Sequence, residues 1–188
     1  MSVLLKKVAN PLLSIYKFAH DGREQWSYDY ISETMARWLL RDQMTEIYSW
    51  AIPNQEAIES LVSLGPIVEM GAGKGYWANL VKNAGGDIIA FDIIPSNVWH
   101  PVDYALNGVV KNNSHRALFL CWPPYAEPMA YNYARQYKGS TIAVIGEERG
   151  CTGNDDFWEY LNDNFTLNKR VVIPQWYTIH DCLTIWKR

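Results

Sequence analysis

No stretch of this chain approaches the roughly 20 consecutive apolar residues that a membrane-crossing helix needs. The apolar run ahead of Lys6 is only Val3, Leu4 and Leu5, too short for the core of a secretion signal. Cysteine is scarce: Cys121, Cys151 and Cys182 are the three in the chain, and their spacing fits no metal-ligand pattern. The odd count, without an export signal, leads us to expect free thiols in a reduced, cytoplasmic setting and no membrane partner. Positive charge is not in excess either. A net charge of −3 and a pI near 5.8 provide no global field that draws in nucleic acid, so any such contact needs a local basic patch. Internal repeats and low-complexity tracts are absent. What is present is the make-up of an ordinary globule, 48% hydrophobic and 20% charged over 188 residues. That length buries roughly 70% of the unfolded chain's surface in one domain. Nine tryptophans and twelve tyrosines suit both a core and a site that stacks on planar groups.

The most informative stretch runs from Pro66 to Leu80. Ile67 to Met70 is a short apolar run that reads as a buried strand. Gly71, Gly73 and Gly75 follow at alternate positions, and Trp77, Leu80 and Val81 then fall at helical spacing. Strand, glycine turn and helix form the unit with which α/β folds hold nucleotide-like ligands, because glycine lets backbone N–H groups approach without a Cβ in the way. Spacing excludes two ligand classes. A dinucleotide turn needs glycine where Tyr76 stands, and a phosphate-cradling loop needs Ser or Thr after Gly73-Lys74, where Gly75 stands. Beyond Gly85-Gly86 a second strand, Asp87 to Asp92, ends in a carboxylate 17 residues after Gly75. That is near the offset at which an acid holds ribose hydroxyls.

The rest of the chain alternates. Strands are expected at Ala117–Cys121, Thr141–Ile145, Arg170–Ile173 and Cys182–Trp186, the last two pairing antiparallel. Helices are expected at Pro128–Tyr137 and, capped by Asn154, at Asp155–Phe165. The 24 residues from Ile93 to Arg116 leave room for a short third strand. Upstream, Ile31, Met35, Trp38 and Leu39 mark a helix within Tyr28–Trp50. Asn54 caps another that carries Ala57, Ile58, Leu61 and Val62 and stops at Gly65-Pro66. Pro11 divides residues 1–25 into two helical pieces that pack on the domain. Such alternation argues a mostly parallel sheet with helices on both faces.

The order Glu69-x-Gly71-x-Gly73-x-Gly75 resembles the first motif of class I S-adenosylmethionine (SAM) methyltransferases. The resemblance implies a Rossmann-like α/β fold: a core at 65–188, a helical extension at 1–64, and a terminal antiparallel strand pair. It implies SAM as cofactor, with Glu69 at the methionine end, the turn at Gly71, Ala72, Gly73 and Gly75, and Asp92 on the ribose beside Ile93. Asp103 is the acid on offer for the adenine, and Tyr48, Trp50 and Asn54 lie where helices of that superfamily close over the cofactor, though core packing is their default role.

In open α/β sheets the site lies beyond the carboxyl ends of the strands, which adds Cys121-Trp122-Pro123-Pro124-Tyr125 and Gly146-Glu147-Glu148. The first of these resembles the Asn/Asp-Pro-Pro-Tyr motif of amino-methyltransferases acting on adenine or cytosine, whose polar side chain and a proline carbonyl accept hydrogen bonds from the target amine. Trp122 replaces that polar residue, and an indole donates but does not accept. Residues 48–188, with Leu118 to Tyr125 and Gly150-Cys151-Thr152-Gly153, are also similar to a set of small SAM-methyltransferase-like proteins. Trp122, Pro123, Pro124 and Tyr125 are the expected acceptor platform, and Glu147 is an expected base or anchor for a hydroxyl or amine. Cys121 and Cys151 lack the sequence context of a methyltransferase nucleophile; His100 and His180-Asp181 offer an acid–base set, but with no sequence link between them the histidines are expected to be structural. A small-molecule acceptor is favoured. A nucleic-acid methyltransferase, a SAM-binding protein without turnover and a SAM-consuming enzyme that does not methylate stay open.

Overall fold

The computed structural model describes residues 8–21 and 30–188. Its centre is a seven-stranded sheet in the order β3-β2-β1-β4-β5-β7-β6. The strands are β1 (Ile67–Met70), β2 (Ile88–Asp92), β3 (Val102–Tyr104), β4 (Ala117–Cys121), β5 (Thr141–Gly146), β6 (Thr166–Val172) and β7 (Cys182–Lys187). The first five run parallel, while β7 is antiparallel to both β5 and β6. This is the Rossmann-like arrangement expected from the alternating sequence.

Among the described residues, seven helices flank the sheet: α1 (Pro11–Asp21), α2 (Tyr30–Ile47), α3 (Gln55–Val62), α4 (Tyr76–Asn83), α5 (Val109–Asn112), α6 (Met129–Gln136) and α7 (Asp155–Asn164). Strand alternation divides the core into two layers. Ile67, Phe119, Ala143, Ile145, Leu183 and Ile185 pack beneath α1, α3 and α4. Val68, Met70, Leu118, Leu120, Ile142 and Val144 pack beneath α5, α6 and α7. Each of these side chains larger than alanine, fully buried, stabilises the fold by about 1.5–3 kcal/mol relative to exposure. The expected caps are formed: the Asn54 side chain accepts from Ala57 N–H, and Asn154 from Phe157 N–H.

Three expectations shift. Pro11 opens α1 rather than dividing two helical pieces, as suits a residue with fixed φ and no N–H at a first helical position. The remainder of the 1–25 reading falls on residues 1–7 and 22–25, outside the described residues. Trp38 and Leu39 keep helical spacing on α2 but are exposed, so that stripe is not a core face there. β6 begins at Thr166, earlier than Arg170, because it is a mostly exposed edge strand whose register shifts between Leu167 and Lys169, which erases the alternating pattern. The third strand is short, as expected, and is followed by the single helical turn α5.

Candidate active site

The carboxyl ends of β1, β2, β4 and β5 form one rim. At β1 the turn is built by three left-handed glycines, Gly71, Gly73 and Gly75, with φ of 73°, 55° and 78°. They differ in what surrounds them. A Cβ on Gly73 would meet nothing within 4 Å, whereas one on Gly75 would lie 2.9 Å from both Cβ and the carbonyl oxygen of His100. Gly73 therefore faces open space, and Gly75 is glycine because the loop into β3 packs on it. The turn's N–H groups are largely used internally: Gly71 and Ala72 donate to the Phe91 carbonyl, and Gly75 to that of Ala72. Gly73 N–H donates to Asp92 Oδ2 at 2.8 Å, and Ile94 N–H to Asp92 Oδ1 at 3.0 Å. The turn offers close approach more than a row of free donors.

Glu69 shares the sheet face of Ile67, beneath α4, and is buried. Its Oε2 has no hydrogen-bond partner among the described residues. Burial pushes its carboxyl up to about 8; the charge of Asp92 adds to the rise, and the Ala78 N–H, in the first turn of α4, opposes it. A buried acid with an orphaned oxygen at a strand's carboxyl end is ready for a hydrogen-bonding cation. Asp92 keeps lone pairs beyond the two its backbone partners use. The residues present thus fit a ligand with an amine at one end and hydroxyls further along. Ile93, next to Asp92, is exposed apolar surface. Asp103 is exposed as well.

At β4 the chain turns sharply: Trp122 is left-handed, φ 52°, a strained conformation for a bulky residue. Its N–H donates to the Ile145 carbonyl at 2.8 Å, and its indole Nε1 donates to Asp181 Oδ2 at 2.9 Å. Pro123 is buried, and its carbonyl accepts from Gly153 N–H at 2.9 Å; Pro124 bridges to Thr152. Tyr125 is exposed, whereas Trp122 is half-buried. The Cys121 thiol lies in the fields of both Glu69 and Asp181. Burial first, and then those two carboxylates, push its pKa well up, which suppresses the thiolate a nucleophile requires.

Glu147 is held, not free. Its Oε1 contacts His180 Nδ1 at 2.8 Å and accepts from His180 N–H at 3.2 Å, while Oε2 accepts from the Cys151 N–H and thiol, both at 3.3 Å. Burial pushes its carboxyl up, but the hydrogen bonds from His180 and Cys151 outweigh that and leave it below its ordinary value. The Cys151 thiol is raised to about 11, by burial first and then by Glu147. Glu148 pairs with Arg170 at 3.3 Å.

The sequence does not show the partners of Asp181, Arg41, Trp50, Lys74 and Trp99. Asp181 is buried at the amino end of β7; because Cys182 pairs with Gly146 across an antiparallel ladder, that end lies beside the carboxyl end of β5. Arg41 of α2 covers the rings of Trp38, Trp50 and Trp122 at 5.0, 5.3 and 5.9 Å. Trp50 stacks on Trp122, centroids 5.0 Å apart and planes 16° from parallel. Lys74 ties the glycine turn to the end of α2 through the Glu46 carbonyl and carboxylate, and Trp99 Nε1 donates to the Ile47 carbonyl at 2.8 Å. Only a partner distant in sequence gives these residues a role, and no spacing rule links 41, 50, 122 and 181.

No family model and no curated protein matches the chain. Solved structures resemble it in fold. A 1,6-didemethyltoxoflavin-N1-methyltransferase of Burkholderia thailandensis, solved with 1,6-didemethyltoxoflavin and S-adenosylhomocysteine bound, has a TM-score of 0.50 at 13% identity, over 99% of this chain and 93% of that one. An uncharacterized protein from Listeria monocytogenes serotype 4b has a TM-score of 0.50 at 10% identity, over 72% of this chain and 68% of that one. At these identities the likeness is one of fold.

Proposed function

We propose that the chain is a SAM-dependent methyltransferase acting on a small molecule that offers a hydroxyl or amine, with residues 1–188 as one unit. The observation that carries this reading is the pairing of the orphaned, buried Glu69 Oε2 with Asp92 across the glycine turn. Bound SAM supplies a methyl group on a positively charged sulfur. The chain's part is to hold donor and acceptor in line and to exclude water. Glu69 takes the ammonium of the methionine portion, and Gly71, Ala72 and Gly73 allow close approach, with Gly75 shaping the turn. Asp92 takes the ribose hydroxyls, Ile93 lies against the adenine, and Cys121 forms the floor between cofactor and acceptor. Trp122, Pro123 and Pro124 form the acceptor wall. Glu147 orders the neighbouring loops instead of serving as base.

Two features favour a small acceptor over a nucleobase in a polymer. Trp122 lacks the acceptor atom of the amino-methyltransferase motif, and the Pro123 carbonyl already receives the Gly153 N–H. The exposed Tyr125 favours the nucleic-acid alternative, in which it stacks on a base. In that case DNA or RNA oligomers bind with steep salt dependence and Tyr125→Ala costs about 1–3 kcal/mol. Calorimetry tests the cofactor: SAM and S-adenosylhomocysteine bind, NAD does not, and Gly73→Leu abolishes binding. Asp92→Ala weakens it by about 1.5–3 kcal/mol, the range for hydrogen bonds to a charged group. Unaltered affinity in both variants overturns the assignment. Incubation with SAM and cell extract, read by mass, separates turnover with a methylated product from binding alone or from SAM consumption without methylation.

A further inference from the structure

We propose that Asp181 is the residue that recognises the methyl acceptor, its Oδ1 accepting a hydrogen bond from an N–H or O–H on a planar ring that stacks on Trp122. The word acceptor rests on the methyltransferase reading above; the binding site itself rests on independent geometry. Asp181 is wholly buried, with 0% of its surface exposed. One oxygen, Oδ2, is fixed by the Trp122 indole at 2.9 Å, and the other, Oδ1, has no partner among the described residues. A buried carboxylate oxygen left unpaired is costly, and native structures retain few such atoms without a purpose.

What surrounds that atom specifies its ligand. Because Oδ2 is bonded to the Nε1 edge of Trp122, Oδ1 lies within one carboxylate's width of the same indole edge. A ring stacked on the Trp122 face therefore presents its own edge donor to Oδ1. In the structure that face is occupied by Trp50, which is 45% exposed and follows directly on the end of α2. Arg41 lies over both indoles, and its Nε is a buried donor without a partner among the described residues. The cover is thus made of planar groups held by stacking, which a planar ligand replaces in kind. Asp181 Oδ1 and Arg41 Nε together ask for an acceptor atom and a donor atom on one flat skeleton. Glu147 cannot take the same part, since both of its oxygens already have partners. The left-handed Trp122 is the strained element that aims the indole at Asp181. Phenols, indoles and amino-substituted heteroaromatic rings have this chemistry. Methylation at a ring's single donor removes the hydrogen bond to Asp181, so the product is held less tightly than the acceptor.

The test uses ligand-observed NMR on the full chain with three matched pairs of probes: phenol and anisole, indole and N-methylindole, 2-aminopyridine and 2-dimethylaminopyridine. Each pair is titrated with and without S-adenosylhomocysteine. The donor member is expected to bind wild type about tenfold or more tighter than its methylated partner, the scale of a hydrogen bond to a charged group. Asp181→Asn keeps an oxygen for the Trp122 indole and places an amide donor where Oδ1 stood; it is expected to erase the preference while its thermal midpoint shows a folded protein. Trp122→Phe, which frees Asp181 from its clamp, is expected to reduce the preference. Equal affinity within every pair, no binding by any donor probe, or a preference that survives Asp181→Asn overturns the proposal. S-adenosylhomocysteine affinity, measured separately by calorimetry, reports on the cofactor reading: its absence sinks that reading, whereas the pairwise preference is still read from the titrations without it.

Discussion

Glu147 Oε1 and His180 Nδ1 meet at 2.8 Å, joining the loop after β5 to the loop before β7. With Cys151 on the other carboxylate oxygen, this is a clasp at the β5 end of the rim. The folded carboxyl lies below its ordinary value, so the clasp contributes stability above the unfolded pKa near 4.5 and loses it as pH falls through the lower folded value. Glu147→Gln is expected to destabilise the protein by about 1 kcal/mol at neutral pH, with the difference closing in acid and SAM affinity unchanged. Denaturant melts across pH check it. A turnover loss of a hundredfold or more at unchanged stability would restore Glu147 as a general base.

Glu69 gives the opposite pH dependence. Its folded value, about 8, lies above the ordinary 4.5, so the folded state holds an extra proton between those values. Stability from this group therefore falls as pH rises through that window. Glu69→Gln is expected to melt higher than wild type at pH 8.5, with the gap narrowing towards pH 5, and to bind SAM more weakly. Calorimetry of wild type at pH 7 in buffers of differing ionisation enthalpy is expected to show proton release on SAM binding, as Glu69 ionises against the ligand's ammonium. Binding with no proton exchange contradicts that role.

Gly73 and Gly75 share a left-handed backbone but not a neighbourhood. Gly73→Ala meets only backbone strain, about 1 kcal/mol, and keeps the fold. Gly75→Ala adds a collision with the His100 backbone at 2.9 Å and is expected to cost more, about 2–4 kcal/mol. Urea midpoints for the two variants check the order; equal losses would mean that the loop before β3 yields freely.

All three thiols are free in the structure, and they differ in exposure: Cys151 is exposed, Cys121 intermediate and Cys182 buried. Alkylation under denaturing, non-reducing conditions is expected to add three groups by intact mass. Under native conditions Cys151 is expected to react before Cys182. A single adduct in denaturant would reveal a disulfide.

Those parts of the fold carried by local chemistry were readable from the chain. Apolar runs marked β1, β2, β4 and β5, while Asn54 and Asn154 marked helix starts, since each of these signals lies within a few adjacent residues. The polar edge strand β6 concealed its first four residues, because neither face of Thr166 to Lys169 is buried. The grouping of Glu69, the glycines and Asp92 at one part of the rim was legible for the same reason, these residues being linked by one strand–turn–helix–strand unit. The grouping around Trp122 was not. Trp122 could be placed at a strand end, but its partner Asp181 is 59 residues away, and Arg41 of α2 and Trp50 just beyond that helix reach it from far upstream. Glu147 looked like a free acid until His180 and Cys151 were seen to occupy it.

The position of β7 orders the making of the protein as well as its architecture. This strand is the last in the sequence yet sits between β5 and β6. During synthesis, β1 to β4 and the glycine turn emerge first, and β5 then presents a bare edge from Thr141 to Gly146 until β7 follows; such edges pair indiscriminately. Only when residues 182–187 leave the ribosome is that edge filled, and the same event delivers Asp181 beside Trp122. A nascent chain can thus complete the part of the rim around the glycine turn well before it owns Asp181, so the two parts of the rim are separated in time before they are joined in space.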